Sequence, residues 1–293
     1  MEFSDLKYPY KTKLINLKDN ITLAYADEGE NKKETIVFIH GLASYMPAWK
    51  MNIPILKNHF RCIPIDLPGY GKSSKNDYPV SMDFYADIII EFLDKLGINK
   101  VTLAGHSMGG HISIFTTIKY PERVSKLVLA SPAGFEIFNE FESRILKNFM
   151  TVDSLINNSA EQLKQNVLVN FYKMPKDAEF MIEDRIALKD AKDFRLYCSS
   201  VVKSLHAMLD EPVSEKLNLI KQQTLILFGE NDSLIPSIIP SQGLHKNLTT
   251  KLIANSGFFK INNSKLVMIP ECGHFSQFEK YEKFNTAVIE FLK

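Results

Sequence analysis

Five short apolar runs, each closed by turn residues and followed by a helical pattern, constrain the fold of this chain more than any other feature. They are Thr35–Ile39, Val101–Ala104, Lys126–Ala130, Thr224–Phe228 and Lys265–Ile269. All are rich in Val, Ile and Leu, and none alternates with polar residues. Strands read this way when helices cover both faces of a parallel sheet. Arg61–Asp66 is a sixth, weaker run. Lys11–Leu17 and Ile21–Ala26 do alternate and are joined by Lys18-Asp19-Asn20, which predicts an antiparallel hairpin at a sheet edge.

The helical patterns fall between these runs. Ser81–Leu96 sets Phe84, Ile88, Phe92 and Leu96 along one face before Gly97 ends it. Gly109–Tyr120 is stopped by Pro121, and Phe278–Leu292 closes the chain. From about Phe135 to Leu217 the rhythm breaks. That stretch holds no convincing strand but four helical patterns: Glu136–Met150, Ala160–Tyr172, Ala178–Leu188 and Ala191–Leu209. It reads as a helical insertion (residues 135–217) between two parts of one α/β core (residues 1–134 and 218–293). Its many aromatics and methionines serve first as its own packing, and only a minority can line a site.

Composition excludes several function classes. Lys+Arg is 35 and Asp+Glu 34 among 293 residues, a net charge of +1, so no overall field favours nucleic acid or an anionic membrane. The three cysteines, Cys62, Cys198 and Cys272, lie far apart without metal-ligand spacing, and an odd number cannot pair fully within one chain. The first residues, MEFSDLKYPYKTKL, carry early charges and no apolar core, unlike a signal peptide. No apolar run approaches the roughly 18 residues of a membrane span. Asn-x-Ser/Thr triplets begin at Asn157, Asn247 and Asn262 and carry little weight without a secretion signal. A reducing cytoplasm is the expected compartment.

The strongest local motif is Gly105-His106-Ser107-Met108-Gly109-Gly110. It follows the run Val101–Ala104 directly and opens the next helix. A serine nucleophile needs its hydroxyl lifted clear of the backbone at a sheet edge. A sharp strand-to-helix turn does this, flanked by glycines where side chains would clash. A tight turn whose serine merely caps the helix is the alternative. The hydroxyl is weakly nucleophilic, so it needs a base and a carboxylate to orient that base. His274, after the run Lys265–Ile269, is the candidate base. His40 and His106 read as structural, His111 is ambiguous, and His206 and His245 lack a suitable placement. Asp232, in Gly229-Glu230-Asn231-Asp232 after Thr224–Phe228, is the candidate acid, with Glu230 and Glu136 as competitors. The order Ser107, Asp232, His274 at three strand ends is far more specific than any single motif.

An oxyanion also needs donors. The backbone N–H of Met108 is one candidate. The N–H of Leu42, in His40-Gly41-Leu42-Ala43-Ser44, is the other. Gly69-Tyr70-Gly71-Lys72-Ser73 looks like the tail of a phosphate-binding loop, but the glycine required five residues before Gly71 is Asp66. No nucleotide, metal or other cofactor is therefore expected.

These segments together resemble the α/β-hydrolase fold superfamily from about Leu14 to Phe291. The matching pieces are His40-Gly41, Asp66 to Ser73, Gly105 to Gly110, Gly229 to Asp232 and Gly273-His274. The resemblance implies an eight-stranded, mostly parallel sheet flanked by helices, with a helical cap inserted after the sixth strand. Ser107 disfavours the haloalkane dehalogenases and epoxide hydrolases, which carry aspartate at the elbow. The Gly-Gly-Pro-Gly loop usual in proline iminopeptidases is absent. Carbon–carbon bond hydrolases of aromatic ring-cleavage pathways are similar around Gly273-His274-Phe275-Ser276-Gln277-Phe278-Glu279. Their Ser-Gly-Pro-Gly loop is replaced here by Leu42-Ala43-Ser44-Tyr45, however, and the tryptophan and arginine beside their acid have only Phe228 and Ser233 nearby. The spacing from Asp232 to His274, 42 positions, also exceeds the usual one, and the excess around Ser256–Ser264 reads as a longer loop.

The sequence thus favours a serine hydrolase cleaving a carboxylic ester with an apolar acyl group; Tyr45, Met46, Trp49 and Phe275 are candidates for its pocket, with packing the more expected job for each. A carbon–carbon hydrolase, thioesterase or acyltransferase on the same triad is the second reading. A hydrolase-fold ligand-binding protein without turnover is the third.

Overall fold

The computed structural model describes residues 1–30, 32–236 and 248–293. His245 and Asn247 lie outside them. Eight strands form one sheet: β1 (Lys13–Asn16), β2 (Thr22–Tyr25), β3 (Thr35–Ile39), β4 (Arg61–Asp66), β5 (Val101–His106), β6 (Val124–Ala130), β7 (Gln223–Gly229) and β8 (Ser264–Ile269). Their order is β1-β2-β4-β3-β5-β6-β7-β8. β1 and β2 are the antiparallel edge, β2 pairs antiparallel with β4, and the remaining pairs are parallel.

Eleven α-helices accompany them among the described residues. α1 (Ile53–Leu56), α2 (Met82–Lys95) and α3 (Met108–Lys119) precede β6. Between β6 and β7 come α4 (Glu140–Phe149), α5 (Val152–Ile156), α6 (Ala160–Leu168), α7 (Phe180–Ala187) and α8 (Phe194–Asp210). α9 (Thr250–Lys260), α10 (Ser276–Glu279) and α11 (Tyr281–Leu292) complete the chain. The stretch read from sequence as an extra loop is mostly α9. Its apolar residues form no clear stripe, since Phe258 packs on the core while Phe259 stands 77% exposed. The closing helix is broken at Lys280, where φ −124° and ψ 46° leave the helical region.

Period-two alternation divides the strand side chains between two cores. Val37, Ile39, Leu103, Leu127 and Ile226 face one side with Ile89, Phe92 and Ile112 from α2 and α3. Ile36, Phe38, Val128 and Leu225 face the other with Trp49 and with Phe284 and Val288 from α11. Apolar burial on both faces is why the central strands show no polar alternation. Local signals reinforce it: Ser81 Oγ accepts the N–H of Phe84 at 2.8 Å to cap α2, a bond of the kind that contributes about 1 kcal/mol.

The register brings the C-terminal ends of the parallel strands to one edge. Ile39 lies opposite Gly105, His106 opposite Ala130, and Gly229 opposite Ile269. Glycine lets α3 come down onto that edge. A Cβ on Gly109 would overlap the carbonyl oxygen of Ile39, and one on Gly110 would stand 2.7 Å from Pro132 Cβ. Gly109→Ala is therefore expected to lower stability by about 2–3 kcal/mol, read as a lower urea midpoint. An unchanged midpoint would mean that α3 can sit further from the sheet.

Candidate active site

Ser107 occupies the tip of the turn between β5 and α3, with φ 52° and ψ −117°. L-residues rarely adopt such a backbone, and it persists only where surrounding contacts over-determine it. Here the Ser107 N–H donates to Ala130 O at 3.0 Å, and the Ser107 carbonyl accepts from Gly110, His111 and Ala133. The side chain is half-buried and lines a cavity of about 940 Å³ between the sheet edge and the helices inserted after β6.

Asp232 and His274 meet at the same edge. His274 Nδ1 donates to Asp232 Oδ2 at 2.7 Å, and both side chains are almost wholly buried. Asp232 Oδ1 accepts from the N–H groups of Leu234 and Ile235 at 2.9 and 3.1 Å, which fixes the carboxylate plane. That arrangement holds the imidazole with its proton on Nδ1 and leaves Nε2 as the basic nitrogen. His274 lines the cavity together with Ser107. Among the described residues no hydrogen bond joins Ser107 Oγ to His274, a looseness common before substrate closes a site. Of the competing carboxylates, Glu230 is exposed and Glu136 lines the cavity, while Nδ1 of His274 is bonded to Asp232.

Leu42 also lines the cavity, and Met108 begins α3. Among the described residues neither backbone N–H has an acceptor, so both remain available to an anion. His40 secures the loop that carries Leu42. Its Nδ1 donates to Gly41 O at 2.8 Å, and its Nε2 accepts the N–H of Leu67 at 3.1 Å. His106 spans the neighbouring gap, its Nε2 donating to the carbonyl of His274 at 3.1 Å while its ring packs 4.4 Å from that of Phe275. His111 Nε2 donates to Glu211 O at 2.9 Å. Burial lowers all three imidazoles, His40 and His111 to about 4 and His106 well below its ordinary value.

Arg185 was not foreseen from sequence. Its Nη2 donates to Ala43 O at 2.5 Å, and Tyr197 Oη donates to the same carbonyl at 3.4 Å. Arg185 is the one Lys or Arg among the described residues lining the cavity. On α7 it shares a face with Met181 and Leu188, which also line it. An arginine interrupting that apolar face was the available signal. Next to it, Asp184 accepts from Tyr45 Oη at 2.5 Å, and burial pushes this carboxyl above the usual carboxylate range. Of the four residues weighed for the pocket, Tyr45 and Phe275 line the cavity, whereas Met46 and Trp49 are wholly buried in the core and take the packing role.

Among the described residues no three His, Cys, Asp or Glu side chains converge as a metal site, and no helix is long and apolar enough to cross a membrane. The three cysteines are buried thiols, with Cys198 and Cys272 pushed up to about 12 by desolvation.

A family model for the alpha/beta hydrolase fold matches residues 34–281. The chain is 30% identical to a 2-hydroxy-6-oxononadienedioate/2-hydroxy-6-oxononatrienedioate hydrolase of Pseudomonas putida, over 96% of each chain. A probable hydrolytic enzyme of Pseudomonas aeruginosa PAO1 superimposes with a TM-score of 0.87 at 23% identity, covering 99% of this chain and 96% of that one. A meta-cleavage product hydrolase of Pseudomonas fluorescens IP01 does so with a TM-score of 0.72 at 25% identity, covering 96% and 97%.

The histidine environments carry a pH consequence. Protonating His40 would cost the Leu67 hydrogen bond, so the native state excludes a proton that the unfolded chain binds between pH 6.5 and about 4. His40 thus contributes stability that is present above pH 6.5 and is lost as pH falls through that window. Nitrogen-15 NMR is expected to show His40 Nε2 unprotonated down to about pH 5. Titration near its ordinary value would contradict the bridging role.

Proposed function

We propose, from the premise that this chain belongs to the α/β-hydrolase family, that it is a serine hydrolase breaking a carbon–carbon bond beside a ketone in a small carboxylate-bearing substrate. Ser107 is the nucleophile and His274 the general base. Asp232 orients the base, and the N–H groups of Leu42 and Met108 receive the oxyanion. The inserted helices cap the site.

One observation carries the choice of substrate. The cavity that holds Ser107 has a single cation among its described lining residues, Arg185, docked on the loop that presents Leu42. A guanidinium in a largely apolar cavity suits a carboxylate, which it can hold by charge-assisted hydrogen bonds. An ester with a plain alkyl acyl group gives that charge nothing to bind. The Pseudomonas putida relative is named for nine-carbon diacids with a ketone at carbon 6 and no ester, and the resemblance supports the same chemistry here. Relatives of this kind reverse the order of the two leading sequence readings. The missing Ser-Gly-Pro-Gly loop does not count against this, since the donors are backbone groups that Leu42 and Met108 supply.

The steps follow from the geometry. Once the carbon 2 hydroxyl proton has moved to carbon 5, Ser107 adds to the carbon 6 ketone as His274 takes its proton. The bond between carbons 5 and 6 then breaks, its electron pair passes through the conjugated system to the carbon 2 oxygen, and that oxygen takes up the proton held by His274, which returns the imidazole to its basic form. The leaving fragment is 2-hydroxypenta-2,4-dienoate, and the nonadienedioate leaves a succinyl group on Ser107. Water deprotonated by His274 releases succinate.

The cavity walls keep the ester reading in second place. Leu146, Met150, Leu163, Val167 and Leu205 line a space larger than a nine-carbon diacid fills. Turnover of 2-hydroxy-6-oxonona-2,4-dienedioate, followed by the loss of its absorbance, is to be compared with that of p-nitrophenyl esters from acetate to palmitate. The diacid should have the higher kcat/KM. Ser107→Ala should lower turnover at least about a thousandfold. Arg185→Met should lower kcat/KM for the diacid about a hundredfold and for p-nitrophenyl butyrate far less. Ester turnover with the diacid untouched would overturn the carbon–carbon reading in favour of the ester one.

A further inference from the structure

The first ten residues carry no catalytic motif, yet they reach the cavity. Phe3 and Leu6 line it, at 6% and 2% exposure. Both pack against Leu188, Ala191, Phe194 and Cys198 of the inserted helices. The Phe3 ring stands 5.4 Å from that of Tyr197, whose hydroxyl donates to Ala43 O. The segment is also tied down on the core side. Tyr8 Oη donates to the buried Asp66 at 2.6 Å, and Asp66 also accepts the N–H groups of Met46 and Lys72. Lys75 Nζ lies 3.9 Å above the Phe3 ring while donating to Gly71 O and Ser73 O.

We infer that residues 1–10 form a strap that walls the substrate cavity, and that Phe3 sets the size of the apolar group it admits. The physical case is that a segment with no strand and a single three-residue helical turn is ordinarily loose unless side chains tie it down. This one has a half-buried tyrosine hydrogen-bonded to a buried carboxylate, plus two apolar side chains between the core and the inserted helices. Tyr8 fixes the strap to the end of β4, and Phe3 then projects into the cavity from a firm base. The inference deepens the functional reading above and rests on it for the identity of the cavity. Its test does not need turnover.

Straight-chain monocarboxylates of four to twelve carbons serve as probes, since each offers a carboxylate to Arg185 and a graded apolar chain to the walls. Their affinities are to be measured by calorimetry on the wild-type chain, Phe3→Ala and Phe3→Trp. The optimum chain length should rise by about three carbons in Phe3→Ala, with affinity gaining about threefold to fourfold per carbon over that range. It should fall in Phe3→Trp, which fills rather than empties the site and so guards against a merely unfolded alanine variant. Tyr8→Phe, which leaves the wall residue in place but unties it, should broaden the profile.

Coincident profiles for all the proteins would overturn the inference, as would a wild type that retains no carboxylate at any length. A shifted profile together with no hydrolysis of the diacid would leave the strap standing and sink the carbon–carbon reading. Diacid hydrolysis with an unshifted profile would do the reverse.

Discussion

The close approach of α3 to the ends of β3 and β5 is the constraint on which the site depends, because it makes room for the sharp turn at Ser107. Gly109 lies against the Ile39 carbonyl, Gly105 against the backbone of Gly109, and Gly110 against Pro132. With three side chains removed from that junction, the chain can turn from strand to helix within one residue. Ser107 then takes a φ of 52°. The strain is held by the Ala130 hydrogen bond on one side and three bonds to the Ser107 carbonyl on the other. The same junction leaves the Met108 N–H at the free start of a helix, where negative charge is favoured. The placements of the proposed nucleophile and of one proposed oxyanion donor therefore have a common structural cause.

Electrostatically the site is sparse. His40, His106 and His111 surround it, and burial holds all three neutral. They act as hydrogen-bonded spacers, and each bond ties one site loop to the next. His106 is the most economical of these, standing beside Ser107 in sequence and bonded to the backbone of His274. Arg185 is thus the one cationic side chain among the described residues of the cavity wall, which also carries the carboxylates of Asp184, Glu136 and Glu161. Its docking point, the Ala43 carbonyl, also receives Tyr197, so the loop that carries Leu42 binds two side chains of the inserted helices through one acceptor.

The sheet and the trio Ser107, Asp232 and His274 were legible in sequence because they depend on local patterns. An uninterrupted apolar run announces a doubly covered strand, and residues just past such runs fall on one edge whatever their separation in the chain. Even the long spacing between Asp232 and His274 left the pair within hydrogen-bond distance, because α9 absorbs the extra residues beside β8. What stayed hidden is non-local. Arg185 meets Ala43 across 142 positions, and Tyr8 meets Asp66 across 58. No periodicity encodes such contacts. Met46 and Trp49 take the packing role that the sequence favoured for them, since the short helical turn after the Leu42 loop rotates them into the opposite core.

Rapid mixing of the wild-type protein with 2-hydroxy-6-oxonona-2,4-dienedioate, followed by acid quench and peptide mass analysis, tests the central claim most directly. If Ser107 attacks the ketone, the peptide carrying it should bear a succinyl group early in turnover and lose it as succinate appears. Product formed at full rate with Ser107 never acylated would contradict the nucleophilic role of this serine.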